Sequence, residues 1–236
     1  AAIDWGARRT LLFFHGSLCW QTYDHVQPNG LQRKCARPHG FIDHYSFQAR
    51  YEVYKRFHTA PGFDIRATDV IPKPRGADLD QKMLTSIFCF CPSGTGWGMR
   101  AFHSAVLGCI PLIIQDDGLY APGDYSTGSR HPSVLQAFEG LLLDWRDFAV
   151  RIPAKDIPRL DKILRAIADD PVMLQAKREA LVRVYTRLLW RVSLPPQEAR
   201  ALGDAPDAFD SVMQALTLRL KYGARGDGQL APGTGR

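Results

Sequence analysis

The segment that most constrains this chain is 86–117, SIFCFCPSGTGWGMRAFHSAVLGCIPLIIQDD. Its apolar run 87–91, rich in β-favouring residues and closed by Pro92, predicts a short strand. Gly94, Gly96 and Gly98 permit a tight turn with exposed N–H groups; apolar residues then recur at helical spacing from about 97 to 107, and Gly108 supplies the stop. The run 110–114 reads as a strand buried on both faces, the mark of a parallel sheet. A strand–glycine loop–helix–strand unit is an anion site by construction, because unpaired N–H groups and the helix dipole both point at the loop. Arg100 falls in the first helical turn, where a cation opposes that dipole at a cost of about 0.3–1 kcal/mol. A bound phosphate reverses the sign, since a guanidinium forks onto two of its oxygens. On this chemistry alone a solvated surface arginine is an equal alternative.

Two known phosphate loops can be compared with it. A Walker loop needs Lys followed by Ser or Thr after its last glycine, and Met99-Arg100 stands there instead. The dinucleotide fingerprint fits better, with Gly94 and Gly96 in place and Asp116 about 20 residues on, but its third glycine falls at Met99. A dinucleotide-binding Rossmann protein therefore stays as a distant alternative.

The same stretch resembles the signature of exostosin-type glycosyltransferases, the family of the exostosins and of plant xyloglucan galactosyltransferases. The matching features are the Phe-Cys strand, the Pro-x-Gly loop, Arg100, and Gly108-Cys109-Ile110-Pro111 leading into an apolar strand. The form Gly96-Trp97-Gly98-x-Arg100 is most similar to the green-algal branch. Tyr45-Ser46-x-x-x-Arg50 resembles the family's Tyr-Ser-x-Gly-x-Arg motif with Gln48 in place of the glycine. The segment AFEGLLLDWRDFAVRI resembles its Phe-Glu…Asp-Trp…Phe-x-Val block, and the likeness spans about residues 8 to 220. His103 departs from the pattern, standing where the family usually carries Asp or Glu.

Along the rest of the chain, 10–14 reads as the first strand, placing His15 at a carboxyl end, the side on which open α/β sheets bind ligands. Residues 17–44 read as an irregular insertion, in which His25, His39 and His44 lack metal-site spacing. Ser46 reads as the N-cap of a helix through about 57, with Arg50 one turn in. A short strand at 63–65, a helix at 78–86 and a strand at 148–152 follow. Asp144 and Trp145 are expected to cap and pack, and Asp156 to cap a helix with a Leu160, Ile163, Leu164, Ile167 stripe. A basic amphipathic helix is expected from 171 to about 190. Another, at 206–221, should dock back through Phe209, Val212, Met213, Leu216 and Leu220. The Gly-rich residues 223–236 have almost nothing to bury and read as a disordered tail.

Composition sets the bounds. With 236 residues the chain holds one or two domains. A net charge of +6 suits an anionic ligand, yet no Lys/Arg block with interleaved aromatics marks a nucleic-acid binder. No apolar run approaches a membrane span, and the abrupt start AAIDWGARRT reads as the interior of a longer chain. Of five cysteines, Cys89, Cys91 and Cys109 read as small buried hydrophobes, while Cys19 and Cys35 sit where an oxidising lumen would let them bridge. The adjacent acids Asp116 and Asp117 lack Asp-x-Asp spacing and read as solvated turn residues.

Together these features predict an α/β lobe over 1–222, a parallel Rossmann-like sheet with helices on both faces. The resemblance implies the C-terminal, donor-binding lobe of a two-lobed GT-B glycosyltransferase. It further implies inverting transfer from a nucleoside-diphosphate sugar, most simply a UDP-sugar, to a glycan or glycoprotein acceptor, without a metal or other cofactor. On that reading Gly94, Thr95, Gly96, Trp97, Gly98 and Arg100 hold the diphosphate, Arg50, Ser46 and His15 assist, and Glu139 takes the ribose. His15 and His103 are the weak candidates for a catalytic base. The implied setting is the Golgi lumen, with a type II anchor contributed by a segment outside this chain. The alternative from another class is a non-catalytic nucleotide-sugar-binding module, to which His103 and the lack of an opposing lobe point.

Overall fold

The computed structural model describes residues 5–18, 45–68, 79–93, 98–114 and 136–222. Strands β1 (Thr10–Gly16), β2 (Phe63–Ala67), β3 (Ser86–Phe90), β4 (Ile110–Ile113) and β5 (Val150–Arg151) form one sheet in the order β2-β1-β3-β4-β5. Every pairing is parallel, with Leu12 opposite both Phe63 and Phe88, Phe88 opposite Ile110, and Leu112 opposite Val150. Between them run α1 (Ala49–Phe57), α2 (Leu79–Leu84), α3 (Arg100–Val106) and α4 (Trp145–Phe148). The C-terminal part adds α5 (Leu160–Ala168), α6 (Pro171–Val184), α7 (Pro196–Ala201) and α8 (Ala208–Tyr222).

This topology places the site. The step from β1 to β2 moves one way along the sheet, and the steps from β2 to β3 and β3 to β4 move the other way. Right-handed crossovers therefore put the connecting helices on opposite faces and open a crevice beyond the carboxyl ends of β1 and β3. The strands are apolar on both faces because both are covered: Leu12, Phe88 and Leu112 are buried on one face, and Phe13, Cys89 and Ile113 on the other. The α/β reading of the sequence is met, and so is the stripe of α5, where Leu160 and Leu164 are buried and Ile163 and Ile167 pack on the core.

Four local readings are corrected. Ser46 does not cap α1: it lies in a 3-10 turn, Tyr45–Gln48, and the residue before α1 is Gln48, which makes no side-chain cap. Asp156 does not cap either: it lies within a 3-10 turn, Ala154–Arg159, preceded by Pro153; the caps lie at Asp144 and Asp170, each accepting from backbone N–H. Helix α8 docks through its small residues Ala208, Ser211 and Ala215, leaving Phe209, Met213, Leu216 and Leu220 exposed and Val212 half-buried. Small side chains let the helix backbone approach closely, and that contact prevails over the larger apolar stripe. Finally, Cys89 and Cys109 are not free thiols. They form a disulfide with Cα atoms 5.7 Å apart. Cys89 pairs with Pro111, so Cys109 stands two residues before its partner, on the same face of the adjacent strand. Cys91 remains a buried thiol, pushed up to about 12 by burial, and is therefore inert. Cys19 and Cys35, the insertion and the tail 223–236 lie outside the described residues.

Gln48 explains the departure from the family motif. Its φ is 65°, the left-handed region, where a side chain costs about 1–2 kcal/mol. Glycine removes that cost but loses about 0.5–1 kcal/mol in chain entropy. Gln48→Gly is therefore expected to raise stability by about 0.5–1 kcal/mol, read as a higher urea midpoint at unchanged slope; a lower midpoint would refute the account of this turn.

Candidate functional site

At the crevice beyond β1 and β3, separate segments converge on three backbone carbonyls. The Ser46 hydroxyl donates to the Ser93 carbonyl. Arg50 donates to the same oxygen from Nε at 3.2 Å and Nη2 at 2.8 Å, and from Nη1 to the Ser17 carbonyl at 3.0 Å. Arg100, the first residue of α3, donates from Nη2 to the His15 carbonyl at 2.8 Å. Both guanidiniums lie over the Phe14 ring, 5.7 Å and 5.1 Å from its centroid, a cation–π arrangement. The packing leaves no room at Gly16, where a Cβ would stand 2.8 Å from Phe14 Cζ and 3.4 Å from Arg100 Nη2. Two arginines thus share one aromatic platform at the switch point of the sheet.

His15 belongs to this cluster only through its carbonyl. Strand alternation sends the Phe14 and His15 side chains to opposite faces. The imidazole is buried against Phe13, with Nε2 2.9 Å from Asp64 Oδ1. Burial holds the imidazole pKa down against the pull of Asp64, so the ring stays neutral at pH 7 and its N–H donates to the carboxylate. Burial alone would raise Asp64, but hydrogen bonds from His15 and Lys82 outweigh it and hold this carboxyl at about 2. The geometry therefore makes His15 a structural partner of Asp64, on the face away from the arginines.

A pH dependence follows with a definite sign. Asp64 titrates lower in the folded chain than its unfolded value, so its contribution of about 2 kcal/mol is complete above about pH 4 and is lost as pH falls toward 2. His15 acts in the same direction from about pH 6.5 downward, since the unfolded state takes up its proton first. Asp64→Asn should flatten the fall in urea stability between pH 4 and pH 2; an unchanged pH profile would contradict this.

His103 lies on the outer side of α3, about half exposed, with Nε2 2.8 Å from Asp80 Oδ1 on α2. Its ring is held by that acid rather than presented among the arginines. Glu139 is not on a helix surface. It follows Phe138, whose φ of 59° turns the backbone, and Trp145 Nε1 pins that turn by donating to Ala137 O at 2.9 Å. Its carboxylate accepts from Gln136 N at 2.8 Å and pairs with Arg151, the last residue of β5, and both side chains are largely buried. Glu139 is thus fixed near the carboxyl edge of the sheet. The strand order separates β5 from β3 by two interstrand spacings, about 10 Å.

Gly94, Thr95, Gly96 and Trp97 lie outside the described residues, as do Asp116 and Asp117; Gly98 is described and leads into α3. Sequence reasoning missed Phe14, Ser93, Ser17, Asp64 and Arg151. Ser93 and Ser17 act through main-chain oxygens, which carry no mark in a sequence. Arg151 had a signal, as a basic residue ending a strand close after the Phe-Glu block. Among the described residues no group of three or more His, Cys, Asp or Glu is placed to hold a metal ion, and no helix is long and apolar enough to cross a membrane.

Comparison with known proteins matches residues 5–167 to the Exostosin GT47 domain. "Probable glucuronosyltransferase GUT1" of Oryza sativa subsp. japonica is 30% identical over 181 residues, covering 76% of this chain and 36% of that protein. "Probable beta-1,4-xylosyltransferase IRX10" of Arabidopsis thaliana is 29% identical over 180 residues, with the same shares of 76% and 36%. The chain thus spans about a third of the length of these curated relatives. The family match covers β1 through nearly all of α5, and so every described strand and both arginines of the switch point: the chain belongs to the exostosin GT47 family.

Proposed function

We propose that this chain is the donor-binding lobe of a glycosyltransferase, taking a nucleoside-diphosphate sugar, most simply a UDP-sugar, for inverting transfer to a glycan hydroxyl. The observation that carries the reading is the convergence of Arg50 and Arg100 over Phe14 at the switch point of a parallel sheet. Arg100, with the loop 94–98 before it, faces the diphosphate. Glu139 takes the ribose hydroxyls, because each of its oxygens keeps a second lone pair beyond the contacts to Gln136 and Arg151. The distance from β3 to β5 is one an extended nucleoside diphosphate bridges.

In this chemistry an acceptor hydroxyl, losing its proton to a base, attacks the anomeric carbon as the diphosphate departs with the bonding electrons. Fixed cations beside the departing oxygens lower that barrier. His15 and His103 are each bound to a carboxylate outside the arginine cluster, so we assign the base and the acceptor site to chain beyond these residues. The Cys89–Cys109 disulfide supports an oxidising setting such as the Golgi lumen. The two relatives, a probable glucuronosyltransferase and a probable β-1,4-xylosyltransferase, favour a glycuronosyl or pentosyl donor.

Calorimetric titration with UDP and with uridine tests the reading. UDP should bind at least tenfold more tightly than uridine, with the difference shrinking as salt rises. The affinity should be the same in EDTA as in manganese, since the positive charge comes from arginine. Equal affinities for UDP and uridine would reject the diphosphate site, and binding that needs manganese would reject the metal-free one.

A further inference from the structure

Arg50 and Arg100 share Phe14 but differ in what they hold. Arg50 reaches from α1 to the exits of two strands: Nη1 to Ser17 after β1, and Nε with Nη2 to Ser93 after β3. Ser46 adds its hydroxyl to the same Ser93 oxygen. That one carbonyl collects three donors, from two side chains one helical turn apart. The corner that delivers them is strained, with Ser46 at φ 57° and Gln48 at φ 65°. Such strain persists where the surroundings over-determine it, and it gathers at sites. Ser46 and Ser93 are both buried.

The electrostatics give the arrangement a purpose. A carbonyl oxygen left without a donor beside the crevice would repel an anion there. Arg50 donates to both the Ser17 and Ser93 carbonyls, which offsets that repulsion and fixes Ser93 at the exit of β3.

We infer that Arg50 is a positioning residue of the site: with Ser46 it latches the exit of β3 through the Ser93 carbonyl and does not itself grip the diphosphate. This rests on the donor-site reading above and assigns Arg50 and Ser46 a different part in it from direct contact. The role requires the forked geometry of a guanidinium. A lysine at position 50 keeps the charge but presents one compact ammonium, unable to hold two strand exits with the same reach.

The test compares Arg50→Lys, Arg50→Ala and Ser46→Ala by UDP titration and by hydrogen exchange of the Cys91 and Ser93 amides without nucleotide. Arg50→Lys should lose about tenfold in UDP affinity, close to the loss in Arg50→Ala, and both should speed exchange at these amides by about tenfold. Ser46→Ala removes a single neutral hydroxyl and should shift both readouts in the same direction. Its effect combined with Arg50→Ala should fall short of the product of the two. Arg50→Lys within twofold of the wild-type UDP affinity, with exchange unchanged, would mean direct charge contact and overturn the latch. A wild-type chain that binds no UDP would reject the donor reading alone. The exchange rates would still decide the latch, faster in the variants if it exists and unchanged if it does not.

Discussion

Replacing both Cys89 and Cys109 by alanine is expected to destabilise the chain by about 3 kcal/mol. The bridge closes a loop with a sequence separation of 20, and the loss of chain entropy on cross-linking a loop of this length amounts to about 3 kcal/mol at 25 °C. The loop it closes is the central unit itself: the exit of β3, the glycine loop, α3 and the approach to β4. Both half-cystines are fully buried, so reduction also leaves two thiols in the space of one bond. In a domain of this size the loss corresponds to a fall in melting temperature of about 6–12 °C. Urea unfolding of the double variant beside the oxidised parent measures it. A change under about 1 kcal/mol would show that the sheet holds β3 and β4 together unaided.

Arg100→Ala is expected to weaken UDP binding by about 1.5–3 kcal/mol, the range for hydrogen bonds to charged groups and roughly a 10- to 150-fold loss. The side chain starts at the first residue of α3, crosses the carboxyl end of β3 and reaches the His15 carbonyl over the Phe14 ring. Its removal takes away one of two cations at the switch point and releases the carbonyl of His15 toward the crevice. Uridine affinity should change far less, because uridine carries no phosphate for a guanidinium to meet. A variant that binds UDP as tightly as the parent would remove Arg100 from the site.

Much of this was legible in the chain. The unit 86–117 announced its two strands and the helix between them through period and punctuation, and the parallel sheet followed from apolar runs without alternation. Arg100 stood out because a cation in the first turn opposes the helix dipole, and Arg50 because it completes the Tyr45-Ser46-x-x-x-Arg50 pattern. What stayed hidden was of another physical kind. Ser93 matters through a carbonyl oxygen that every residue possesses, and its importance depends on where α1 lands. His15 reads as ligand-facing only if the first strand ends at Phe14, two residues short of its actual end. β1 runs on to Gly16, and the alternation then turns the imidazole to the far face. The Cys89–Cys109 bond needs the register of β3 against β4, which spacing alone does not give. Helix α8 showed a stripe of large apolar residues, but Ala208, Ser211 and Ala215 form the face that packs.

A nucleoside diphosphate is expected to lie across the carboxyl ends of β1 and β3, with its ribose toward β5. A crystal structure of the chain soaked with UDP measures that place directly. The diphosphate should lie within hydrogen-bond reach of Arg100 at the switch point, the ribose hydroxyls on Glu139, and Arg50 still bound to Ser17 and Ser93. Nucleotide seated elsewhere on the sheet, or a diphosphate with no contact to Arg100, would contradict it.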